Sequence, residues 1–245
     1  MVRSHSKSHK RAAVTASSTQ PPGEPKATML VIGLTGGIGM GKSFVTNELR
    51  NLDVPVYDAD ATVHKLYAPA GGAVEPVRAL FGDEVVSPDG SVNRAELSKK
   101  VLGSEEHHQD AMKQLEQVVH PLVEAEKHDF LQQAYKNNNK LVVLDIPLLF
   151  EKHNESSVDF VVVVSAGEEK QRERCLARPG MTAENFESIV NRQVADSVKT
   201  TNADRVIDTG CAPEETKQAV TALVEEIRSK IGSETFKPKV FEARE

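Results

Sequence analysis

Long apolar runs are missing from this sequence: the longest, 141–144 and 160–164, suit buried strands and fall far short of the ~20 residues a membrane span requires. A membrane partner is therefore excluded. Cysteine is scarce as well. Cys175 and Cys211 stand far apart and are too few for a disulfide framework or a Cys-rich metal knuckle, which leaves a reducing compartment as the natural setting. A basic body is also lacking. Residues 1–27 hold Arg3, Lys7, Lys10, Arg11 and Lys26 against Glu24, a net of +4, so the remainder stands at −10 within a chain of net charge −6. An acidic body argues against nucleic acid as a ligand. What is left, at 245 residues and 39% hydrophobic content, is a globular α/β chain with room for one domain and a small insertion.

The leader, residues 1–28, is basic, rich in Ser and Pro, and without apolar periodicity, so it is read as disordered. An acid-poor start of this kind is compatible with an organelle transit peptide and equally with a dispensable tail. The cytoplasm is the expected location otherwise. The domain proper is expected at 29–232, with a tail at 233–245 that carries no structural signal. Apolar, β-branched segments at 29–34, 54–57, 141–145, 160–164 and 205–207 alternate with helical patterns, the signature of a roughly five-stranded parallel sheet covered by helices on both faces. The segments at 141 and 160 show no polar alternation and should be central strands. Helical patterns at 74–80, 94–102, 104–119 and 121–135 predict a helical insertion over about 61–136, between the second and third strands.

The chemistry begins at the first strand. After it comes Gly36-Gly37-Ile38-Gly39-Met40-Gly41-Lys42-Ser43, which fits G-x-x-x-x-G-K-[ST], followed by an amphipathic helix. In such a P-loop the backbone N–H groups, those of the Gly36 to Phe44 stretch here, turn inward around phosphate oxygens. The helix N-terminus adds partial positive charge, Lys42 reaches the β and γ phosphates of ATP, and the Ser43 hydroxyl suits Mg²⁺. A guanine-reading N-K-x-D is absent: Asn139-Lys140-Leu141-Val142 lacks the acid, which weakens a GTPase switch.

A small-molecule kinase needs instead an acid near the acceptor hydroxyl and arginines that close over the transferring group. Asp58 and Asp60 follow the second strand, at the edge where open parallel sheets bind ligands. Asp60 is expected to cap the next helix, which makes Asp58 the candidate base. Arg174 and Arg178 are four apart, on one face of a helix that Pro179-Gly180 should end, and they point into a lid over about 174–192.

The chain resembles the dephospho-coenzyme A kinase family. The likeness runs from residue 31 to about 231. It includes the P-loop, Asp58-Ala59-Asp60, Phe81-Gly82, Asp89-Gly90 with Arg94, His120-Pro121 and Ile146-Pro147-Leu148-Leu149-Phe150-Glu151. Gln171 with Arg174 and Arg178, then Gln193, then Ala203-Asp204-Arg205-Val206-Ile207-Asp208 complete it. The resemblance implies transfer of the ATP γ-phosphoryl onto the ribose 3′-hydroxyl of dephospho-CoA, with Asp58 as base and with Lys42, Arg174 and Arg178 stabilising charge. Asp60, Arg94, His120 and Leu148 would line or support the acceptor pocket. A kinase for a nucleoside monophosphate or a sugar acid would share the same mechanical parts. Phe44 and Thr209 depart from the family pattern, which has Thr and Asn at these positions. Asp145, at the end of the third strand, is a further Mg²⁺-orienting candidate. The sequence sets no oligomeric state.

Overall fold

The computed structural model describes residues 29–103 and 105–238. The expectations for the leader lie outside these residues. Five strands form one all-parallel sheet in the order β2-β3-β1-β4-β5: β1 (Leu30–Thr35), β2 (Val56–Asp58), β3 (Leu141–Asp145), β4 (Phe160–Ser165) and β5 (Arg205–Asp208). The strands at 141 and 160 are internal, one on each side of β1, as their unbroken apolar runs predict.

Those runs conceal a period of two, because successive side chains leave a strand on opposite faces. Ile32, Leu34, Val143, Val162 and Val164 face one layer, closed by helix α1 (Lys42–Asn51) and helix α9 (Pro213–Lys230) through Val45, Leu49, Val220, Val224 and Ile227. Val31, Val142, Leu144, Val161 and Val163 face the other layer, where Leu131 and Ala134 of helix α5 (Glu106–Lys136) pack. Ile227 is fully buried on α9, far from the P-loop. Ile227→Ala should cost about 2–5 kcal/mol of stability through the cavity it leaves. The check is a urea midpoint, which should fall while phosphotransfer at permissive temperature is kept.

Between β2 and β3 lie α2 (Ala59–Tyr67), α3 (Val74–Phe81), α4 (Arg94–Val101) and the first half of α5, around their own core of Leu66, Val77, Val85, Leu97, Leu115 and Val119. The helices expected at 104–119 and 121–135 are a single helix that runs through Pro121. Proline removes one backbone donor and normally breaks a helix. Here tertiary packing holds it continuous: Leu115 and Val119 are fixed in the insertion's core, Leu131 and Ala134 in the sheet layer. α5 thus ties the insertion to the sheet. After β4 come α6 (Glu168–Leu176), α7 (Ala183–Val190) and the short α8 (Asp196–Thr201).

The domain does not end at 232. Phe236 is fully buried, with its ring centroid 5.1 Å from that of Phe160, and its carbonyl accepts the Gly232 N–H at 2.9 Å. A lone aromatic after a glycine carries no periodic signal, which is why the sequence pattern misses it. No helix among the described residues is long and apolar enough to cross a membrane.

Candidate active site

All strands point the same way, so their carboxyl ends share one edge, and the chain leaves β1 and β4 toward opposite sides of the sheet. Open parallel sheets bind ligands in the crevice such a divergence creates. Here it is a cleft of about 620 Å³. Gly36, Gly37, Ile38, Gly39, Gly41, Lys42, Ser43 and Phe44 line one wall.

Two glycines are required by geometry. Gly41, the residue before α1, has φ 85°, and a Cβ there would stand 2.8 Å from Thr209 Oγ1. Gly39 has φ 76°, and a Cβ would collide with the Cys175 sulfur. Burial pushes the Cys175 thiol up, with Arg178 opposing in part, so it packs beneath the loop as a neutral group.

The loop is clamped from behind. Met40, expected among the ATP-binding residues, is buried away from the cleft: its sulfur accepts the Ala166 N–H at 3.2 Å and its carbonyl accepts the Thr209 hydroxyl at 2.7 Å. Ile38 N–H donates to Gln193 Oε1 at 3.0 Å, and Gln171 Nε2 donates to Ile38 O at 2.9 Å. Sequence patterns assign these glutamines no role. Their spacing of 22 residues carries no local signature, and only the fold brings both to Ile38.

Lys42 and Ser43 begin α1, where the helix end favours anions. Lys42 is ion-paired with Asp145, whose other oxygen accepts the Thr46 hydroxyl at 2.9 Å. Asp145 is 3% exposed and ends β3 beside the loop. The Ser43 hydroxyl, which lines the cleft, is a hard oxygen donor of the kind magnesium takes, whereas both Asp145 oxygens are engaged by Lys42 and Thr46. Phe44 reaches the cleft with its ring, but its N–H is turned to Gly41 O at 3.0 Å rather than held open for a phosphate.

The helix cap expected at Asp60 is made by Asp58. Asp58 is the N-cap of α2: its Oδ1 accepts the Ala61 N–H at 2.9 Å, and Oδ2 lies 3.8 Å from Arg50. Asp60, expected as the cap, sits one residue into the helix and lines the cleft, which Asp58 does not. The reason is positional. Asp58 still has extended backbone, the conformation an N-cap needs, whereas Asp60 already has helical neighbours on both sides.

Arg174 and Arg178 both line the cleft. Arg174 is held, donating to Thr209 Oγ1 at 3.2 Å and to Thr209 O at 2.6 Å. α6 ends at Leu176, so Arg178 stands on the exposed turn after the helix rather than on its face as expected. Thr209 is therefore built in: its hydroxyl supports the P-loop and its backbone fixes Arg174. Arg94, His120 and Leu148 do not line this cleft. Arg94 lies 3.0 Å from His64 Nε2 and 5.5 Å from the Tyr67 ring centroid. His120 is exposed in mid-helix, and Leu148 is exposed next to Pro147, which does line the cleft.

The dephospho-CoA kinase family model matches residues 30–214. A dephospho-CoA kinase of Rhizobium meliloti is 45% identical over 201 residues, covering 82% of this chain and 100% of the relative. Among solved structures, TT1252 from Thermus thermophilus superposes with a TM-score of 0.69 at 32% identity, covering 82% of this chain and 98% of its own. A dephospho-CoA kinase from Campylobacter jejuni has the same fold, with a TM-score of 0.58 at 20% identity, covering 81% and 97% of the two chains.

Proposed function

This chain belongs to the dephospho-CoA kinase family, and from that premise we infer that it moves the γ-phosphoryl of ATP onto the ribose 3′-hydroxyl of dephospho-CoA, the final step of coenzyme A synthesis. One observation carries the mechanism: the P-loop, the two lid arginines and one carboxylate of the insertion, Asp60, face a single cleft. Phosphoryl transfer is mainly positioning and charge stabilisation, and these are the parts it needs.

The P-loop amides and Lys42 hold the β and γ phosphates. Lys42 is kept in place by Asp145, itself fixed by Thr46. Ser43 would hold magnesium, which supplies positive charge to the phosphates when bound, while Asp145 keeps Lys42 in place beside it. Arg178, on the lid turn, stabilises charge that grows on the transferring group. Arg174 braces the nucleotide end through Thr209.

We assign the acceptor's proton to Asp60 rather than Asp58. The Asp58 carboxylate is committed to the helix cap and to Arg50, whereas Asp60 faces the cleft. We assign Arg94, His120 and Leu148 to the acceptor side as supports, since none of them lines the phosphate cleft.

The family membership speaks against a nucleoside monophosphate or sugar-acid kinase. ADP release across dephospho-CoA, AMP, UMP, gluconate and shikimate is the test. Dephospho-CoA should exceed every other acceptor, and a preference for AMP or UMP would contradict the assignment.

A further inference from the structure

Glu151 ends the Ile146-Pro147-Leu148-Leu149-Phe150-Glu151 stretch, in the turn after β3, and does not line the cleft. It faces a buried lysine instead. Lys199 of α8 has the largest fully buried side chain among the described residues, and its Nζ stands 2.8 Å from Glu151 Oε1. This is an ion pair without the alignment of a hydrogen bond, and Glu151 Oε2 is buried with no hydrogen-bond partner among the described residues. Taking both charges of such a pair out of water commonly offsets their attraction, so an apolar pair of similar volume would be as stable or more so. Stability therefore does not explain Glu151.

An apolar pair could not accept a backbone proton, and Glu151 does. Its Oε1 also receives the Val194 N–H at 2.9 Å. The residue before, Gln193, receives the Ile38 N–H of the P-loop at 3.0 Å, while Gln171 donates to Ile38 O at 2.9 Å. With both its N–H and its C=O engaged, Ile38 is fixed on each side, and the loop enters its left-handed turns at Gly39 and Gly41 from a set start. The two glutamines differ in footing. Gln171 stands within helix α6, whereas Gln193 lies in irregular backbone between α7 and α8 and needs an outside hold to keep its aim. Glu151 supplies that hold at Val194. Asp196 adds to it, since its Oδ2 accepts the Ser165 hydroxyl at 2.6 Å and ties the start of α8 to the end of β4.

We propose that Glu151, with its charge balanced by Lys199, is a positioning residue for ATP: it fixes Val194, which aims Gln193 at Ile38 and so presets the P-loop. The proposal rests on the reading of the cleft as the ATP site, whichever acceptor is used. A binding loop performs best when the side chains behind it are themselves locked. Here the lock is an ion pair outside the cleft, and its effect reaches ATP through Gln193 alone.

The test compares two double variants of the full chain that lose both charges and differ in one acceptor. Glu151→Leu with Lys199→Met leaves the Val194 N–H unpaired, whereas Glu151→Gln with Lys199→Met offers it an amide oxygen. Titration calorimetry with magnesium and a non-hydrolysable ATP analogue reads the result without an acceptor. The leucine variant should bind roughly tenfold more weakly than wild type, the scale of one buried hydrogen bond, and the glutamine variant should stay within about threefold. Gln193→Ala should lose about as much as the leucine variant, and in the Gln193→Ala background the two double variants should bind alike. A pair that serves stability alone would shift the melting temperature and leave the affinity of the folded protein unchanged. Equal affinity of the two double variants, or a difference between them that survives Gln193→Ala, overturns the proposal. If the leucine variant does not fold, Gln193→Ala decides: a tenfold loss supports the link, and wild-type affinity overturns it. A wild-type chain that fails to bind the analogue overturns the reading of the cleft and the proposal with it.

Discussion

Asp60→Asn is expected to lower turnover with dephospho-CoA by roughly 10²–10⁴-fold, the scale of general acid and base catalysis. The substitution keeps shape and one acceptor oxygen while removing the charge that takes the ribose proton. ATP affinity should barely change, since the Asp60 carboxylate would act on the acceptor and not on the phosphates. Asp58→Asn is the matched comparison. Asn caps a helix about as well as Asp, so the bond to Ala61 N–H can persist and most activity should remain. Single-turnover assays at saturating ATP, with melting curves for both variants, distinguish the two. If Asp58→Asn proves the more damaging while its melting curve is unchanged, the base is Asp58, as the strand position alone suggests.

Arg178→Ala should lower turnover by roughly 10²–10³-fold, the cost of losing one preorganised donor to transition-state charge. It should weaken ATP binding much less, because its contacts strengthen as the phosphoryl group moves. Arg178→Lys should recover part of the rate, since it restores charge but not the planar fork. Arg174→Ala should behave differently. Arg174 holds both the hydroxyl and the carbonyl of Thr209, and that hydroxyl also bonds Met40 O beneath the P-loop. Its loss should therefore raise KM for ATP along with the fall in rate. Equal behaviour of the two variants would mean that the lid acts as one ground-state clamp.

Much of this molecule is legible in its sequence because the signals are local. The P-loop is contiguous, and the positive φ of Gly39 and Gly41 is a property of the loop itself, although the neighbours that crowd these glycines, Cys175 and Thr209, come from distant parts of the chain. Strands β3 and β4 announce themselves because burial on both faces requires unbroken apolar runs. The errors have a common origin in non-local packing. Pro121 marks a break by local rules, yet α5, packed into two separate cores, continues across it. Phe236 belongs to the core only because Phe160 is there to receive it. The cap falls on Asp58 rather than Asp60 because of where helix α2 starts, and helix boundaries shift by a residue or two under sequence rules alone. Thr209 reads as a departure from its family's pattern but is built into the site, and nothing local to Thr209 shows that its partners are Met40 and Arg174.

The account's central claim is a phosphoryl transfer to one hydroxyl of one acceptor. Phosphorus NMR with mass spectrometry on the products of wild-type enzyme, ATP, magnesium and dephospho-CoA tests it most directly. The predicted result is a new phosphomonoester on the 3′-carbon of the adenosine ribose, formed in equal amount with ADP. Phosphate released to water with dephospho-CoA unchanged, or a phosphate placed on the 2′-hydroxyl, would contradict it.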